Sequence, residues 1–182
     1  VPGSLRQIGI DVTLLTSDDL LHGDLKRFDA IVTGVRSFNT RPDLRANYQR
    51  LFQYVEDGGT LVVQYNTPEG GGGQGATLPD SPLLAHIGPY RIKTGRDRVT
   101  VEEAPVTFPN PQLPLLHTPN EITQKDFEGW VQERGLNFAA EWDPRYLSVL
   151  ESHDPGEKPL LGGQLYTKYG KEHGDVGPRN EA

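Results

Sequence analysis

The sequence contains no cysteine among its 182 residues. This absence excludes disulfides, thiolate nucleophiles, and zinc or iron–sulfur sites built on cysteine. It does not distinguish the cytosol from the periplasm. The chain also has no stretch approaching the roughly 18 to 20 apolar residues that a membrane-spanning helix requires. Its first residues, VPGSLRQIG, lack the basic and apolar regions of a signal peptide. We therefore expect a soluble chain whose targeting signal, if any, would lie upstream.

Basic residues are in the minority. The sequence has 18 Lys and Arg against 25 Asp and Glu, a formal net charge of -7. Because nucleic-acid binders concentrate Lys and Arg on one face, we expect no nucleic-acid partner. The hydrophobic content of 35% and charged content of 24% fit one globular domain. The 21 glycines and 15 prolines indicate that much of this domain is loop.

Two apolar runs, Phe28–Gly34 and Thr60–Tyr65, predict strands that are covered on both faces. A helix is predicted between them, with Thr40 as its N-cap and Pro42 in its first turn, ending at 57–59. Its apolar stripe consists of Leu44, Tyr48, Leu51 and Val55. Strand, helix and strand in this order predict a parallel sheet, and therefore an α/β fold.

The rest of the chain predicts shorter elements. A helix stopped by Gly9 and a buried strand at 11–15 precede the parallel pair. Short strands are expected at 98–101, 106–108, 146–151 and 163–169, with a helical turn within 118–127 and a loop that holds Trp130 and Trp142. The glycine run at 70–75 is a flexible loop, because it lacks the context of a phosphate-binding motif. We expect one domain over 1–170 and a disordered tail over 171–182.

Candidate ligand-binding residues fall at the carboxyl ends of the predicted parallel strands, where open α/β sheets bind ligands. They are Arg36, Asn39, Gln64, Tyr65 and Asn66. The alternative is that Gly34 serves a turn and Arg36 pairs with a surface carboxylate. A second group is dense in aromatic and charged side chains, a mixture that suits sugar recognition. It consists of Trp130, Glu133, Arg134 and Trp142. The same mixture equally suits a packed loop with internal ion pairs.

A catalytic centre is not evident in the sequence. None of the five histidines has metal-ligand spacing, and no Gly-x-Ser-x-Gly elbow is present. His153 lies beside Asp154 and near Glu151, so it could serve as a base or metal ligand, although an ordinary surface histidine is the alternative. We therefore assign no catalytic residue and no metal, and keep His153 as a ligand-binding candidate.

Several separated motifs resemble one family. FDAIVTGVR at 28–36, NTRPDL at 39–44, GGTLVVQYN at 58–66, GWVQERG at 129–135 and EWDP at 141–144 resemble the C-terminal region of large bacterial PIG-L (LmbE-like) deacetylase proteins. That region is similar to class I glutamine-amidotransferase-like, or ThuA-like, domains. The resemblance implies a three-layer, mostly parallel, doubly wound sheet of flavodoxin-like type. It also implies a first central strand before Val1 and a closing strand and helix after Gly170, so we expect a sheet truncated at both ends.

The resemblance also limits the chemistry. Amidotransferases of this fold carry their catalytic cysteine directly after the strand that matches Thr60–Tyr65, where this chain has Gln64-Tyr65-Asn66. Without cysteine, glutamine hydrolysis by that mechanism is excluded. The zinc of the PIG-L family belongs to a separate deacetylase domain, so no cofactor is expected here.

The expected function is a non-catalytic accessory domain that aids glycan binding or assembly, with the deacetylase domain and a carbohydrate as partners. The resemblance implies a periplasmic or extracellular location. The alternative is a metal-assisted hydrolase or sugar-modifying enzyme of ThuA-like type.

Overall fold

A computed structural model describes residues 1–69, 80–130 and 135–156, together with the backbone of 160–166. The fold is mixed α/β with small sheets, as the coarse fold prediction states. The chain divides into two compact units, Val1–Asn66 and Thr67–Ala182. That residues 1–170 form one domain stays a prediction. The predicted tail over 171–182 and the glycine run at 70–75 lie outside the described residues.

The first unit contains a parallel pair of strands and five short helices. Its elements are α1 (Pro2–Gln7), α2 (Ser17–His22), a 3-10 turn (Leu25–Arg27), β1 (Ala30–Thr33), α3 (Ser37–Thr40), α4 (Pro42–Ala46), α5 (Tyr48–Glu56) and β2 (Thr60–Val63). The register of β1 and β2 runs from Ala30 opposite Thr60 to Thr33 opposite Val63. The predicted parallel pair is therefore confirmed, with each strand shorter than expected.

Burial along β1 alternates, which corrects one prediction. Ile31 and Thr33 are 6% and 5% exposed, whereas Val32 is 39% exposed and its partner Val62 is 45% exposed. Because successive side chains of a strand point to opposite faces, this period of two means that one face of the pair is packed and the other is open. The prediction that both faces of these strands are covered is therefore wrong, because the face that carries Val32 and Val62 is exposed.

The predicted strand at 11–15 is also wrong. Residues 10–16 have no regular secondary structure, and Leu14 is 65% exposed. An apolar run becomes a strand only when its backbone groups pair with a neighbouring strand. Here the Arg6 guanidinium donates to the Val12 carbonyl at 3.0 Å, so a side chain has taken an acceptor that a sheet would use. The preceding helix does end as predicted, with Gly9 at a φ of 86°.

The predicted helix over 40–56 is present but broken. Pro42 occupies the first turn of α4 as predicted, whereas Thr40 belongs to α3 and Arg41 takes the N-cap position. Asn47 separates α4 from α5, and its side-chain amide donates to the Asp43 carbonyl at 2.8 Å. Asparagine side chains compete with the helical backbone in this way, which is why the apolar pattern alone did not show the break.

The predicted apolar stripe is buried at Leu44 and Leu51, whereas Tyr48 and Val55 are partly buried. Leu44 and Leu51 are 5% and 0% exposed, as the predicted stripe requires. Tyr54 is 4% exposed and takes the place in the core that the stripe gave to Val55, which is partly buried. Tyr54 lies three residues after Leu51, so the two side chains share one face of α5.

Two glycines end α5 at the predicted position. The Gly58 N–H donates to the Val55 carbonyl at 3.0 Å, and the Gly59 N–H donates to the Tyr54 carbonyl at 2.9 Å. This pair of bonds, with Gly58 at a φ of 104°, is a Schellman motif. A Cβ on Gly59 would lie 2.2 Å from the Tyr54 ring. The Tyr54 hydroxyl in turn donates to the Phe28 carbonyl at 2.8 Å, so the helix end is fixed to the segment that enters β1.

We predict that Gly59→Ala lowers the free energy of unfolding by about 1–3 kcal/mol, because the added methyl group overpacks the site against the Tyr54 ring. Urea denaturation followed by circular dichroism measures this change. Gly3→Ala is the matched control, because a Cβ at Gly3 meets nothing within 4 Å. Equal stability of the two variants would contradict the prediction.

The second unit consists mainly of short antiparallel strands. Its elements are a 3-10 turn (Pro82–Leu84), β3 (Ile92–Thr94), β4 (Arg98–Val99), β5 (Val106–Thr107), two further 3-10 turns (Pro114–Leu116 and Gln124–Phe127), β6 (Gly135–Leu136), β7 (Ala139–Trp142), β8 (Leu147–Ser152) and β9 (Leu160–Tyr166). Strand β3 pairs with β7, β4 pairs with β6, and β8 lies between β5 and β9. All of these pairs are antiparallel.

The predicted short strands of this unit are largely confirmed. Strands β4, β5 and β8 fall within or across the ranges expected at 98–101, 106–108 and 146–151. Strand β9 overlaps the range expected at 163–169, of which 167–169 lie outside the described residues. The helical turn expected within 118–127 is confined to its last four residues. The expected loop around Trp142 is wrong, because Trp142 ends β7 and pairs with Ile92.

Two apolar clusters form the interior of the second unit. One contains Val99, Ala104 and Phe138, with Val101 packed against it. The other is built on Leu113, Leu116 and Val149; its partly buried members are Phe108, Leu115, Ile122, Leu147 and Leu150. Both clusters join loop residues to strand residues. The loops rich in proline are therefore held by apolar contacts rather than by regular secondary structure.

His117 fastens the loop that carries the second cluster. Its Nδ1 lies 2.8 Å from Glu121 Oε1, and its Nε2 lies 2.6 Å from the Pro111 carbonyl oxygen. Only the protonated imidazolium can donate to both acceptors at once. The contact with the Pro111 carbonyl, followed by that with Glu121, raises the pKa of His117 above its ordinary value of 6.5.

We predict that this contact makes stability depend on pH. A group whose pKa is higher in the folded state stabilises it fully below the unfolded pKa, and this contribution is lost as pH rises through the folded pKa. The excess stability of the wild type over His117→Asn should therefore be greatest below pH 6.5 and fall as pH rises above that value. Urea midpoints measured from about pH 5 to 9 test this, and a difference that stays constant would contradict it.

Candidate functional site

The carboxyl ends of β1 and β2 form a local network in the first unit. The Arg36 N–H donates to the Tyr65 carbonyl at 2.6 Å, and the Gln64 N–H donates to Thr33 Oγ1 at 3.2 Å. Parallel pairing places both strand ends at the same edge, as the sequence predicted. Arg36 has a φ of 57°, which is a left-handed conformation. Among the described non-glycine residues, only Arg36 and Asn137 have a positive φ.

Asn66 holds this edge together rather than presenting its side chain to a ligand. It is 6% exposed. Its Oδ1 accepts from the Phe38 N–H at 3.1 Å, and its Nδ2 donates to the Gln64 carbonyl at 2.8 Å. Asn39 lies next to Phe38 within α3 and is partly buried. Both ends of the Asn66 amide therefore serve the turn between the two strand ends.

The side-chain oxygen of Gln64, Oε1, is buried and has no hydrogen-bond partner within the described part of the chain. Among the described polar side chains of this edge, it is the only buried atom of this kind. A binding site needs several convergent polar groups to fix a ligand. The neighbouring buried polar side chains, Thr33 and Asn66, are engaged in the backbone contacts given above. The strand ends are brought together as predicted, but their polar groups are mostly used within the fold.

A cleft of about 330 Å³ lies within the second unit. It is formed by the segment that leads into β3 and by β3 itself. Its apolar lining comes from Pro68, Pro82, Leu84, Ala85, Gly88, Pro89 and Ile92, and its polar lining comes from Asp80, Ser81, His86, Tyr90, Arg91, Lys93 and Thr94. This volume lies at the lower end of the range found for small-molecule sites, about 300–1,000 Å³.

Four charged residues form a connected network at the cleft. Arg91 Nη2 lies 3.0 and 3.2 Å from the two carboxylate oxygens of Asp80, and Arg91 Nη1 lies 2.8 Å from Glu141 Oε2. The other Glu141 oxygen accepts from Lys93 Nζ at 2.9 Å. Lys93 and Glu141 are cross-strand partners in β3 and β7, so the sheet register sets this contact. The bonds from Arg91 and then Lys93 lower the pKa of Glu141, which keeps its carboxylate ionised at neutral pH.

Tyr146 fixes the backbone of the cleft wall. Its hydroxyl donates to the Tyr90 carbonyl at 3.0 Å and accepts from the Tyr90 N–H at 3.1 Å. Tyr146 is 6% exposed, and burial raises the pKa of its phenol, so it stays protonated across the physiological range. A Cβ on Gly88 would lie 2.2 Å from this hydroxyl. Glycine at position 88 is therefore required for the hydroxyl to reach Tyr90.

The ring of Tyr90 is held as well as its backbone. The Arg145 guanidinium carbon lies 3.4 Å from the ring centroid, a cation–π contact. Two bonds of 2.8 Å to Asp143 keep that guanidinium in place. The Tyr146 ring meets Tyr90 edge to face, with centroids 5.7 Å apart. The cleft wall is thus ordered by contacts from the turn between β7 and β8.

We predict that Tyr146→Phe lowers the free energy of unfolding by about 1–3 kcal/mol, because two backbone groups of Tyr90 lose their partner. Chemical denaturation measures the change. Tyr90→Phe is the control, since it keeps the backbone groups that Tyr146 binds, and it should change stability less. If both variants unfold at the same urea concentration, the hydroxyl of Tyr146 does not have the role assigned to it.

The predicted aromatic and charged group is only partly brought together. Trp142 lies on β7 beside the strand that lines the cleft. Trp130 is 47% exposed, donates from Nε1 to the Asp126 carbonyl at 3.1 Å, and contacts the Phe127 ring at 5.4 Å between centroids. Glu133 and Arg134 lie outside the described residues. Of this group, Trp142 is therefore the residue that the structure places next to the cleft.

His153 lies in a cluster that holds a loop. Its Nδ1 is 3.1 Å from the Asp154 carbonyl oxygen. The Asp154 carboxylate accepts from the backbone N–H of Thr100 and of Val101, each at 2.9 Å, and from the Thr100 hydroxyl at 2.7 Å. These bonds, that from Val101 first, lower the pKa of Asp154. The same bonds give Asp154 a loop-holding role. Within the described ranges, no group of three potential metal ligands occurs.

The lining of the cleft contains none of the predicted ligand-binding residues, although the sequence carries a signal for it. Four of the 18 Lys and Arg residues of this acidic chain fall between positions 91 and 98. Arg91 and Lys93 are two apart, which in a strand puts them on the same face. A local excess of basic residues in an acidic chain indicates a site for charged or strongly polar groups.

No family model, curated protein or solved structure matches the chain. The resemblance to the C-terminal region of PIG-L-type proteins therefore stays a prediction. Across the described ranges, no helix has the length and apolar character that crossing a membrane requires.

Proposed function

We propose that this chain is a non-catalytic accessory region that binds a carbohydrate-type ligand in the cleft of its second unit. The observation that carries the proposal is the composition of the cleft lining. Hydroxyl, carboxylate, imidazole, guanidinium and ammonium groups stand on the same small surface as proline, leucine and isoleucine side chains. Sugars present hydroxyl groups and apolar CH faces together, so a lining of both kinds is complementary to them.

The order of the cleft wall supports the same proposal. Tyr90 is fixed at its backbone by Tyr146 and at its ring by Arg145, and Arg91 bonds to Glu141 on β7. A wall that is already ordered loses little conformational freedom when a ligand binds. Small polar ligands gain modest energy from each contact, so they depend on such preorganisation. The cleft is in this respect suited to a ligand the size of a monosaccharide or disaccharide.

We further propose that the first unit is part of a flavodoxin-like, doubly wound sheet, in which parallel central strands carry helices on both faces. The parallel register of β1 and β2 supports this arrangement. The exposed pair Val32 and Val62 marks the face that a second helical layer would cover. The family resemblance adds a PIG-L-type deacetylase domain as the partner, and absence of a complex in size-exclusion chromatography would remove that partner from the proposal.

The metal-assisted hydrolase remains the weaker alternative. Its best candidate residues were His153 and its acidic neighbours. The Asp154 carboxylate accepts three hydrogen bonds from Thr100 and Val101. A carboxylate that fixes a loop in this way would have to give up those bonds to bind a metal or move a proton. The geometry of the described residues therefore favours ligand binding over hydrolysis.

We predict that the chain binds at least one of glucose, N-acetylglucosamine and glucuronate, and that Ala85→Trp weakens this binding at least about tenfold by filling the cleft, a loss of 1.4 kcal/mol or more. Isothermal titration calorimetry measures the affinity. Ala85 is an exposed residue of the cleft lining, so a large side chain can be added there without disturbing the interior.

Ala46→Trp is the matched control, because Ala46 is an exposed residue of α4 in the first unit. It should bind as the wild type does. If none of the three sugars binds, or if both tryptophan variants bind like the wild type, the proposed function is wrong.

A further inference from the structure

Arg91 is shared between two carboxylates that differ in their surroundings. Glu141 binds both Arg91 and Lys93, and its position is set by the pairing of β7 with β3. Asp80 binds the other terminal guanidinium nitrogen, Nη2, from the segment that enters the cleft. Glu141 is thus built into the sheet and orients both cations. Asp80 approaches the same guanidinium from the cleft lining itself.

The ion pair between Asp80 and Arg91 is poorly protected from water. The side chains of Asp80 and Arg91 are 64% and 54% exposed. Water and salt weaken an ion pair between groups that are more than half exposed. A second carboxylate arriving in the cleft can therefore take the place of Asp80 on the guanidinium. A planar guanidinium accepts a carboxylate in a two-bond geometry, which makes such an exchange specific.

Asp80 is kept near Arg91 by its neighbour. The Ser81 hydroxyl donates to Glu69 Oε2 at 2.5 Å, which anchors the segment where it enters the cleft. A group tethered in this way competes at a high effective concentration. It also keeps the guanidinium paired when no ligand is present.

The balance of charge in the cleft favours an anionic ligand once Asp80 is displaced. Arg91 and Lys93 both line the cleft, and Asp80 is the carboxylate residue of the described lining. With Asp80 displaced, Arg91 and Lys93 carry two positive charges against the one negative charge of Glu141, which bonds to both of them. Neutral sugars would leave the ion pair intact and gain nothing from this exchange.

We infer that the cleft selects sugars that carry a carboxylate, the uronic acid class, and that Asp80 is a built-in competitor for their site on Arg91. This inference rests on the proposed function and adds to it the charge of the ligand. Asp80 lowers the affinity of the cleft for every anion, so only a ligand that also makes the hydroxyl and apolar contacts of the lining displaces it.

The test compares glucuronate with glucose, which differ at one carbon, a carboxylate in place of a CH₂OH group. Affinities of both sugars for the full chain are measured by isothermal titration calorimetry at low salt. We expect the wild type to prefer glucuronate, and Asp80→Asn to bind glucuronate about tenfold more tightly with little change for glucose. Arg91→Gln should remove the preference for glucuronate. Thermal unfolding of each variant shows that it is folded.

Asp11→Asn is the control for the change in net charge, because Asp11 is an exposed residue of the first unit. It should leave both affinities unchanged. Glucose bound as tightly as glucuronate would overturn the inference while leaving the proposed function intact. An unchanged glucuronate affinity in Asp80→Asn, or a preference that survives in Arg91→Gln, would also overturn it. If neither glucuronate nor glucose binds the wild type or any variant, the inference is overturned. The proposed function then depends on whether the chain binds N-acetylglucosamine.

Discussion

The cleft of the second unit depends on one buried hydroxyl. Tyr146 bonds to both backbone groups of Tyr90, and this contact fixes the direction in which the chain enters β3. The positions of Arg91 and Lys93 follow from it, because Arg91 comes directly after Tyr90 and Lys93 lies in β3. The burial that keeps the phenol protonated also keeps it able to donate and accept at once. Gly88 is part of the same arrangement, since a side chain there would fill the space of the hydroxyl.

The two units use their polar groups differently. At the strand ends of the first unit, both the oxygen and the nitrogen of the Asn66 side-chain amide form hydrogen bonds with the backbone, at Phe38 and Gln64. The polar groups of that edge therefore maintain the fold. In the second unit, the charged groups bind one another across the surface of a cleft. Exposed ion pairs can exchange partners with a ligand, whereas buried amide contacts cannot do so without local unfolding. This difference is why the second unit is the better candidate for binding.

Local patterns predicted some of the elements in each unit. The parallel pair, Pro42 in the first turn of α4 and the glycine stop after α5 all depend on residues close in sequence. The break at Asn47 was missed because a side-chain contact interrupts an otherwise regular apolar pattern. The strand expected at 11–15 was wrong because pairing needs a partner that no local pattern supplies. Trp142 was assigned to a loop for the same reason, since its strand forms only by pairing with β3.

The sequence by itself determined the exclusion of thiol chemistry, the acidic balance of charge and the mixed α/β character, because these follow from composition and short-range periodicity. Only the tertiary structure decided that Arg91 and Glu141, fifty residues apart, share an ion pair, and that Tyr146 holds Tyr90. Contacts of this kind depend on strand register and on the packing of distant segments. Neither is encoded in the identity of the nearby residues alone, so the cleft became visible only once the chain was folded.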